Sequence, residues 1–395
     1  MIGYAVQASF FWVSLFAAVF MLALAVFVYA GFKQIKHLEE TDAFDDQDLL
    51  RAPSVTIVVS ALNEGQAIKP ALLSMLAVDY PKLLIIAIND RSTDDTGAVL
   101  DAMCIEQSGS RLKVIHIDTL PEGWLGKSHA LHLGAAQATS DYVLFTDADV
   151  VFDPLVIARA VRYCETKQID HLSLFFDVVA RSALLQMLII SFSVGLMARF
   201  QPWRVATSPK HYFGVGAFNL IRRSVYVAIG GHAQNPMAVI DDIKLGELVK
   251  FKGYKQDALF GLKSVSVEWY PSVPALVRGL EKNLFSGFDH SLGLVIAATV
   301  FTLVVRIWPW IGMLVMTGPS RYLCMAAAFT NLVFCAALLK GYKWSYRCLL
   351  FLPVVGIVEI YIWWRATILT LFRGGVTWRG HFYSLAEIKK GQLSR

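Results

Sequence analysis

Apolar residues in the first half of the chain occur in short runs that recur at similar intervals. Four runs rich in β-branched and aliphatic residues, each typical of a buried strand, cover residues 55–60, 83–88, 112–117 and 142–146. Three mixed stretches that predict helices separate the runs, at about residues 66–78, 93–107 and 126–138. Ser92 or Thr93 is the expected N-cap of the second helix. Strands that alternate with helices predict a doubly wound, mostly parallel α/β sheet, in which ligands bind beyond the carboxyl ends of the strands.

Longer apolar segments lie at both ends of the chain. Residues 9–31 carry no charged side chain and are long enough to span a bilayer, and Lys33 and Lys36 follow directly. Basic residues beside a span usually face the cytoplasm. We therefore expect an uncleaved anchor with its N-terminus outside and the next domain in the cytoplasm. Residues 183–198 are uncharged but short for a span, which favours an interfacial or buried helix.

Three further apolar segments follow, at about residues 292–317, 322–339 and 348–372. An anchor plus three spans would put the basic C-terminal tail outside, against the usual distribution of positive charge. We therefore expect that one of the three does not cross. The first is the best candidate, because Arg306 and Pro309 interrupt it.

Composition and charge narrow the class of protein. The chain has 395 residues, of which 56% are apolar and 17% charged, which excludes a disordered chain and a small disulfide scaffold. Residues 289–395 carry 11 basic and 3 acidic side chains, so the basic character belongs to the apolar C-terminal part. We expect a membrane and no nucleic acid as partner. The five cysteines show no CxxC spacing and are expected to act as small hydrophobes.

Polar residues follow three of the predicted strands. Asn63 and Glu64 follow the first, Asp90 the second, and Asp147 and Asp149 the fourth. Two aspartates spaced i, i+2 just past a strand end can converge on one hard cation, which would neutralise a leaving diphosphate. A solvated turn would explain one such pair, but three polar strand ends in sequence favour a ligand site.

A glycine-containing segment, Pro121–Ser128, lies between the third strand and the third helix. Lys127 in it offers a positive charge for phosphate, although the spacing is not that of a Walker A motif. His129 and His132 lie three residues apart on the following helix. Without a third ligand at a sensible spacing, we assign them a structural role.

Asp241 and Asp242 precede a predicted helix. Helix N-termini stabilise anions, so an N-cap role explains one aspartate, and a general base for an acceptor hydroxyl explains the second. Two basic or aromatic groups flank the C-terminal apolar segments and are candidates for acceptor or phosphate contacts or for interfacial anchoring: Arg278 and Lys282 before them, and Trp378 and Arg379 after them.

Taken together and in this order, the blocks ALNE (61–64), NDRSTDDT (89–96), GWLGK (123–127), TDADV (146–150), GGH (230–232) and the pair 241–242 resemble the family 2 glycosyltransferases. These are inverting enzymes with the GT-A fold. The resemblance covers about residues 53–287, and VTWRG (376–380) extends it to the tail. The GWLGK, GGH and WRG blocks are similar to a membrane-anchored bacterial branch that includes hopanoid-associated, carotenoid and ceramide-type glycosyltransferases.

The resemblance implies a role for each matched residue. Asp90 would contact the nucleotide base or ribose, with Asn63 and Glu64 in the same pocket. Asp149 would bind Mg²⁺ or Mn²⁺ on the diphosphate, with Asp147 near the ribose. Lys127 would lie near the phosphates. Asp242 would be the catalytic base, with Asp241 as its partner.

Two departures from the family pattern limit the comparison. The family's first acidic pair is Asn89-Asp90 here, which leaves Asp90 as the more dependable residue. The Gln/Arg-x-x-Arg-Trp motif of the membrane branches is absent near Arg278, which argues against a processive polysaccharide synthase. A non-catalytic membrane partner or transporter is the other alternative, and Arg306, Glu359 and Arg365 within apolar segments are its best support. An interhelical ion pair or snorkelling arginines would also explain these three residues.

The expected protein is a multi-pass protein of the inner membrane with a cytoplasmic catalytic domain. It would transfer a sugar, most simply from a UDP-sugar, to a hydroxyl of a membrane lipid. The expected domains are an anchor at 1–36, a linker at 37–52, a GT-A domain at 53–287, membrane helices at 288–373 and a basic cytoplasmic tail at 374–395.

Overall fold

The structure is a computed structural model and describes residues 2–107, 110–378 and 381–390. The strands, in chain order, are β1 (Val55–Ala61), β2 (Leu83–Asp90), β3 (Leu112–Ile117), β4 (Tyr142–Asp147), β5 (Val151–Phe152), β6 (His171–Val178), β7 (Asn219–Arg222), β8 (Gln256–Val267), β9 (Gly375–Trp378) and β10 (His381–Ser384). The four strands predicted from the apolar runs are β1 to β4, and they are confirmed.

The α-helices, in chain order, are α1 (Ile2–Phe32), α2 (Asp46–Arg51), α3 (Gly65–Leu76), α4 (Thr96–Glu106), α5 (Gly126–Gln137), α6 (Val156–Lys167), α7 (Ala183–Phe200), α8 (Arg223–Ile229), α9 (Asp241–Phe251), α10 (Val273–Gly287), α11 (Leu292–Thr302), α12 (Trp308–Val315), α13 (Gly318–Tyr342), α14 (Leu352–Arg373) and α15 (Leu385–Lys390). A π-helical turn, Leu303–Ile307, joins α11 to α12. The three helices predicted between the first strands correspond to α3, α4 and α5.

Helix α4 begins later than the sequence predicts. Its N-cap is Asp95, not Ser92 or Thr93. Ser92 and Thr93 instead bond to Asn63 in the loop after β1: the Asn63 N–H donates to Ser92 Oγ, and the Thr93 N–H donates to Asn63 Oδ1. Both residues thus tie two loops together, and neither is available as a cap.

Eight strands form one sheet in the order β3-β2-β1-β4-β7-β6-β8-β5. The pairs β3–β2, β2–β1, β1–β4 and β6–β8 are parallel, and β7 runs antiparallel to both of its neighbours. The predicted α/β sheet is confirmed. Since β2, β1 and β4 are adjacent and parallel, their carboxyl ends meet at one edge, as the sequence predicts.

The centre of the sheet is apolar on both faces. Every residue of β1 is buried, as expected for a strand covered by helices on two sides. Helix α5 packs closely on β1 and β2 at Gly134, where a Cβ atom would lie 2.4 Å from Val58 Cγ1 and 2.7 Å from Ile88 Cδ1. This close packing fixes the position of α5, whose first turn carries Lys127.

The described residues form two compact units. One comprises Ile35–Val179, Pro202–Trp269 and the segment from Thr377, and contains the eight-stranded sheet. The other comprises the chain up to Gln34, Ala180–Gln201 and Tyr270–Val376, and consists mainly of apolar helices. The predicted domain boundaries differ from this grouping, because α7 and α10 belong to the helical unit.

In the described part of the chain, five helical segments are long and apolar enough to cross a membrane: Gln7–Phe32, Ala183–Arg204, Leu292–Val315, Gly318–Tyr342 and Tyr346–Arg373. They include the four membrane segments predicted from the sequence. The fifth contains α7, which is two residues longer than the uncharged stretch from which it was predicted.

Charged side chains inside the helical unit pair with one another. Arg306, on the π-helical turn, forms an ion pair with Glu359 of α14 and donates a hydrogen bond to Ser191 Oγ of α7. Arg365 Nη2 lies 3.3 Å from Glu281 Oε2 of α10. Such pairing is the expected arrangement for ionisable groups within a membrane, so these residues need no transport role to explain them.

Candidate active site

Three loops meet at the carboxyl edge formed by β2, β1 and β4. Asn63 adopts a left-handed conformation (φ 56°) after β1, and its Oδ1 accepts the Thr93 N–H at 2.8 Å. The Glu64 N–H donates to Thr96 Oγ1 at 2.9 Å. These bonds join the loop after β1 to the start of α4, so Asn63 and Glu64 lie beside the loop that follows Asp90.

Asp90 itself is buried and paired. Its two carboxylate oxygens accept hydrogen bonds from Arg91 Nε at 2.7 Å and from Arg91 Nη2 at 3.0 Å, and the residue is only 3% exposed. Gly126 lies directly against the pair, since a Cβ there would come within 2.4 Å of both Asp90 Oδ2 and Arg91 Nη2. The bidentate pair thus forms one wall beside the first turn of α5.

Lys127 joins two acidic groups that are far apart in the sequence. Its Nζ lies 2.8 Å from Asp147 Oδ1 and 3.4 Å from Asp241 Oδ1. Burial lowers the pKa of Lys127. The charges of Asp147, Asp241 and Asp242 raise this pKa by more than burial lowers it, so the ammonium stays charged. The carboxylates after β4 and at the start of α9 therefore belong to one site.

Asp241 and Asp242 occupy the first turn of α9, after Ile240 at the N-cap. Asp242 Oδ1 accepts the N–H of Ile243 at 2.8 Å. Burial, and then the charge of Asp241, raise the pKa of Asp242 to about 7, while Lys127 opposes the increase. A carboxylate with such a pKa can accept a proton near neutral pH.

Gly216 leaves space between the two carboxylate groups. A Cβ at this position would lie 2.7 Å from Asp147 Oδ2 and 3.5 Å from Asp242 Oδ2. The absence of a side chain here keeps the region between Asp147 and Asp242 open for a ligand.

Asp149 has the properties of a carboxylate that a cation would stabilise. Burial, followed by the charges of Asp147 and Glu64, raises its pKa to about 6. Among the described residues, no group of three or more His, Cys, Asp or Glu side chains is arranged to hold a metal. Mg²⁺ and Mn²⁺ fit such a site, because they are commonly held by one or two carboxylates together with substrate phosphates.

Tyr383, in the C-terminal tail, lies beside Asp90 and Arg91. Tyr383 of β10 is buried enough to raise the pKa of its phenol, while Arg91 and a backbone hydrogen bond from Gly126 oppose this effect and Asp90 adds to it. Tyr383 was not among the residues predicted from the sequence. The nearby VTWRG block pointed to this region of the tail but not to this residue.

The profile of the family described as "Glycosyl transferase family 2" matches residues 56–230. This match covers β1 to β7 and the loops that carry Asp90, Lys127, Asp147 and Asp149. Residues 56–230 therefore carry the pattern of a family 2 glycosyltransferase domain. The family predicted by the resemblance is thereby confirmed.

Curated relatives of this glycosyltransferase domain are similar at low identity. The 4,4'-diaponeurosporenoate glycosyltransferase of Staphylococcus aureus (strain MRSA252) is 27% identical over 259 residues, which cover 63% of this chain and 66% of that protein. "Probable glycosyltransferase YdaM" of Bacillus subtilis (strain 168) is 25% identical over 268 residues, covering 63% and 57%. The chain thus spans less than two thirds of the length of these relatives.

A solved structure has the same fold. The mannosyltransferase PcManGT of Pyrobaculum calidifontis, solved in complex with GDP-Man and Mn²⁺, aligns over 92% of this chain and 99% of its own, with a TM-score of 0.54 and 17% identity. This likeness supports the GT-A fold predicted for the glycosyltransferase domain.

Of the four residues predicted to contact the acceptor or phosphate, only Arg278 has a described side chain. Arg278 is exposed on α10 in the helical unit. Arg379 lies outside the described residues, as do the side chains of Lys282 and Trp378. His129 and His132 pack against Trp124, with ring centroids 5.5 Å and 5.1 Å away, which agrees with a structural role.

Proposed function

We propose that the protein transfers a sugar from a nucleotide-sugar to a hydroxyl of a membrane lipid, with inversion at the anomeric carbon. The observation that carries this proposal is the position of Lys127 between Asp147 and Asp241. It brings the polar edge predicted to bind the donor and the predicted base into one site. The curated carotenoid glycosyltransferase relatives support a lipid acceptor.

In the proposed reaction, Asp242 accepts the proton of the acceptor hydroxyl as its oxygen attacks the anomeric carbon. The new C–O bond forms on the face opposite the diphosphate. The bond from the anomeric carbon to the diphosphate oxygen breaks, and its electron pair leaves with the nucleoside diphosphate. A pKa of about 7 leaves a substantial fraction of Asp242 ionised and ready to accept the proton at neutral pH.

The leaving diphosphate needs positive charge. Lys127 supplies it from the first turn of α5, where the neighbouring carboxylates keep the ammonium protonated. Asp149, with Asp147 beside it, would hold Mg²⁺ or Mn²⁺. When bound, the ion would neutralise charge on the diphosphate oxygens. Mn²⁺ in the complex of the solved mannosyltransferase supports this assignment.

The donor pocket would be formed by Asn63, Glu64 and Asp90, with Tyr383 closing it beside Arg91. A UDP-sugar is our first candidate donor. The GDP-Man complex of the solved mannosyltransferase makes GDP-sugars the alternative that the experiment must include.

The helical unit supports an acceptor drawn from the bilayer. Glu281 of α10 lies 2.8 Å from Arg373 Nη1 and also pairs with Arg365, and the exposed Arg278 lies one turn earlier on the same helix. Two arginines paired with one carboxylate, and the exposed Arg278, leave net positive charge in this region, which suits an anionic membrane surface. We propose that this region faces the cytoplasm.

The proposed topology keeps the catalytic groups on one side of the membrane. A single crossing by α7 would separate Asp147 from Asp241, yet Lys127 contacts both. We therefore propose that α7 does not cross the bilayer. By the same reasoning, Tyr383 and Gly126 must share a side, so the chain crosses an even number of times between α10 and β9.

The experiment is nucleotide release by the detergent-purified full chain. UDP- and GDP-hexoses would be screened with Mn²⁺ and extracted membrane lipids, with Asp242→Asn as the matched variant. We expect release with one class of donor, dependent on lipid and lost in Asp242→Asn. No release with any donor, or undiminished release by Asp242→Asn, would contradict the proposal.

A further inference from the structure

A chain of buried polar side chains runs behind the aspartate pair. Its members are His171, Ser173, Asn219 and Gln256, all at or near the starts of β6, β7 and β8 and each no more than 2% exposed. Strand β6 lies between β7 and β8, and its register puts His171 opposite Gln256 and Ser173 opposite Asn219. The sheet itself therefore brings the four residues into one row.

The hydrogen bonds of this row have a single consistent direction. Gln256 Oε1 accepts the Phe213 N–H at 3.0 Å, which makes the other end of the amide the donor. Gln256 Nε2 donates to the Phe213 carbonyl at 2.9 Å and to His171 Nδ1. Because His171 Nδ1 is an acceptor, the proton of the neutral ring lies on Nε2.

The far end of the row reaches α9. His171 Nε2 donates to Asn219 Oδ1 at 2.5 Å, and Ser173 Oγ donates to the same oxygen at 2.9 Å. With Oδ1 occupied, Asn219 Nδ2 is directed to the backbone carbonyl of Asp242 at 3.4 Å. The row thus links the Phe213 backbone to the backbone of Asp242.

The segment that the row holds lies directly against α9. A Cβ at Gly214 would be 1.8 Å from the Asp242 carbonyl oxygen, and a Cβ at Gly246 would be 2.1 Å from the Phe213 carbonyl oxygen. Gln256 holds both backbone groups of Phe213, and Asn219 holds Asp242. A small displacement of either would move the first turn of α9.

Burial also keeps His171 uncharged. It lowers the pKa of His171 to about 4, with only partial opposition from the bond to Asn219. The row therefore keeps the same donors and acceptors throughout the neutral pH range. Buried polar groups are costly unless they are fully bonded, and when bonded they specify one arrangement of the groups around them.

We infer that His171, Asn219 and Gln256 are positioning residues that fix the Asp242 backbone, and with it the carboxylate, at the distance that the acceptor hydroxyl requires. This inference rests on the proposed function, since it takes Asp242 as the base. All three are buried, and the side chains nearest to Gly216 are those of Asp147 and Asp242 instead. Their effect on the reaction must therefore pass through α9 and the Phe213–Gly214 segment.

The test uses variants that break or restore the row. Asn219→Leu and His171→Leu remove hydrogen bonds of the row. His171→Gln keeps one acceptor and one donor, which can replace the two ring nitrogens. Ser140→Ala is the matched control, because Ser140 is a buried hydroxyl outside the row, bonded to Thr56 Oγ1 of β1 at 2.8 Å and to the carbonyl of Tyr142 at the start of β4 at 2.7 Å.

Transfer by the full chain in detergent would be measured at varied donor concentration. We expect Asn219→Leu and His171→Leu to lower kcat by about tenfold to a hundredfold, the scale of a misplacement of the reacting groups by about 1 Å. The donor KM should stay within about twofold. His171→Gln should recover most of kcat, and Ser140→Ala should leave both constants unchanged. If the leucine variants fail to bind donor, the same comparison of kcat and donor KM is made with Asn219→Ser and His171→Gln.

The outcomes separate this inference from the function on which it rests. If the wild-type chain transfers no sugar, the proposed function fails. If the wild type is active and Asp242→Asn is not, but the leucine variants retain full kcat, only the positioning role is overturned. A loss that His171→Gln does not restore, with KM raised as much as kcat is lowered, would also overturn it, because that pattern indicates general disruption of the sheet.

Discussion

The proposed base makes a sharp prediction about pH, because its two charged neighbours act on it in opposite directions. Asp241 raises the pKa of Asp242 and Lys127 lowers it. Asp241→Asn removes a negative charge and should move the acid limb of kcat/KM to lower pH. Lys127→Met removes a positive charge and should move the same limb to higher pH.

The magnitude follows from the surroundings of Asp242. Its pKa rises from 3.8 to about 7, so the unmodified protein should lose kcat/KM about tenfold per pH unit below about pH 7. Burial is the largest cause and remains in both variants, so neither substitution should return the limb to the range of a free carboxyl. We expect a shift on the order of one pH unit in each direction, equivalent to about 1.4 kcal/mol between the two protonation states.

The assay is nucleotide release at saturating lipid, measured from pH 5 to 9 with limiting donor. Lys127→Met should also lower the rate at every pH, because the leaving diphosphate loses its cation, so only the position of the limb is compared. Two shifts in the same direction, or a limb that neither variant moves, would refute the assignment of Asp242 as the titrating base.

Three further predictions concern other parts of the molecule. Asp149→Asn should abolish the tightening of donor binding by Mn²⁺, measured by titration calorimetry, and donor binding that still responds fully to Mn²⁺ would contradict the assignment. Tyr383→Phe should weaken donor binding about 2- to 10-fold with kcat unchanged, because one neutral hydrogen bond contributes about 0.5–1.5 kcal/mol. Unaltered affinity would exclude Tyr383 from the pocket. Glu359→Leu should lower the thermal stability in detergent, because it leaves Arg306 unpaired, and adding Arg306→Leu should restore part of the loss. Additive losses in the double variant would show that the pair is not coupled.

The sequence was sufficient where local patterns decide structure. The short apolar runs located β1 to β4, and the rule for the carboxyl ends of parallel strands brought Glu64, Asp90 and Asp147 to one edge. The helix N-terminus at Asp241 was also predicted, because the two aspartates stand at the start of a predicted helix.

The sequence was insufficient where contacts join residues that are distant along the chain. Nothing near Tyr383 indicates that it returns to Gly126, and nothing near Lys127 indicates that it meets Asp241. His171, Asn219 and Gln256 are single polar residues at strand starts, and only the order of β7, β6 and β8 in the sheet brings them together. Their partners are fixed by tertiary register, which one sequence does not reveal.

The most direct measurement of the central claim follows the sugar rather than the nucleotide. The full chain would be incubated with membrane lipids and a nucleotide-sugar labelled in the sugar, and label in the lipid extract would be compared with the nucleotide released. The account predicts equal amounts of both for the wild-type chain and neither for Asp242→Asn. Nucleotide release with the label remaining in water as free sugar, or a labelled lipid formed equally well by Asp242→Asn, would contradict it.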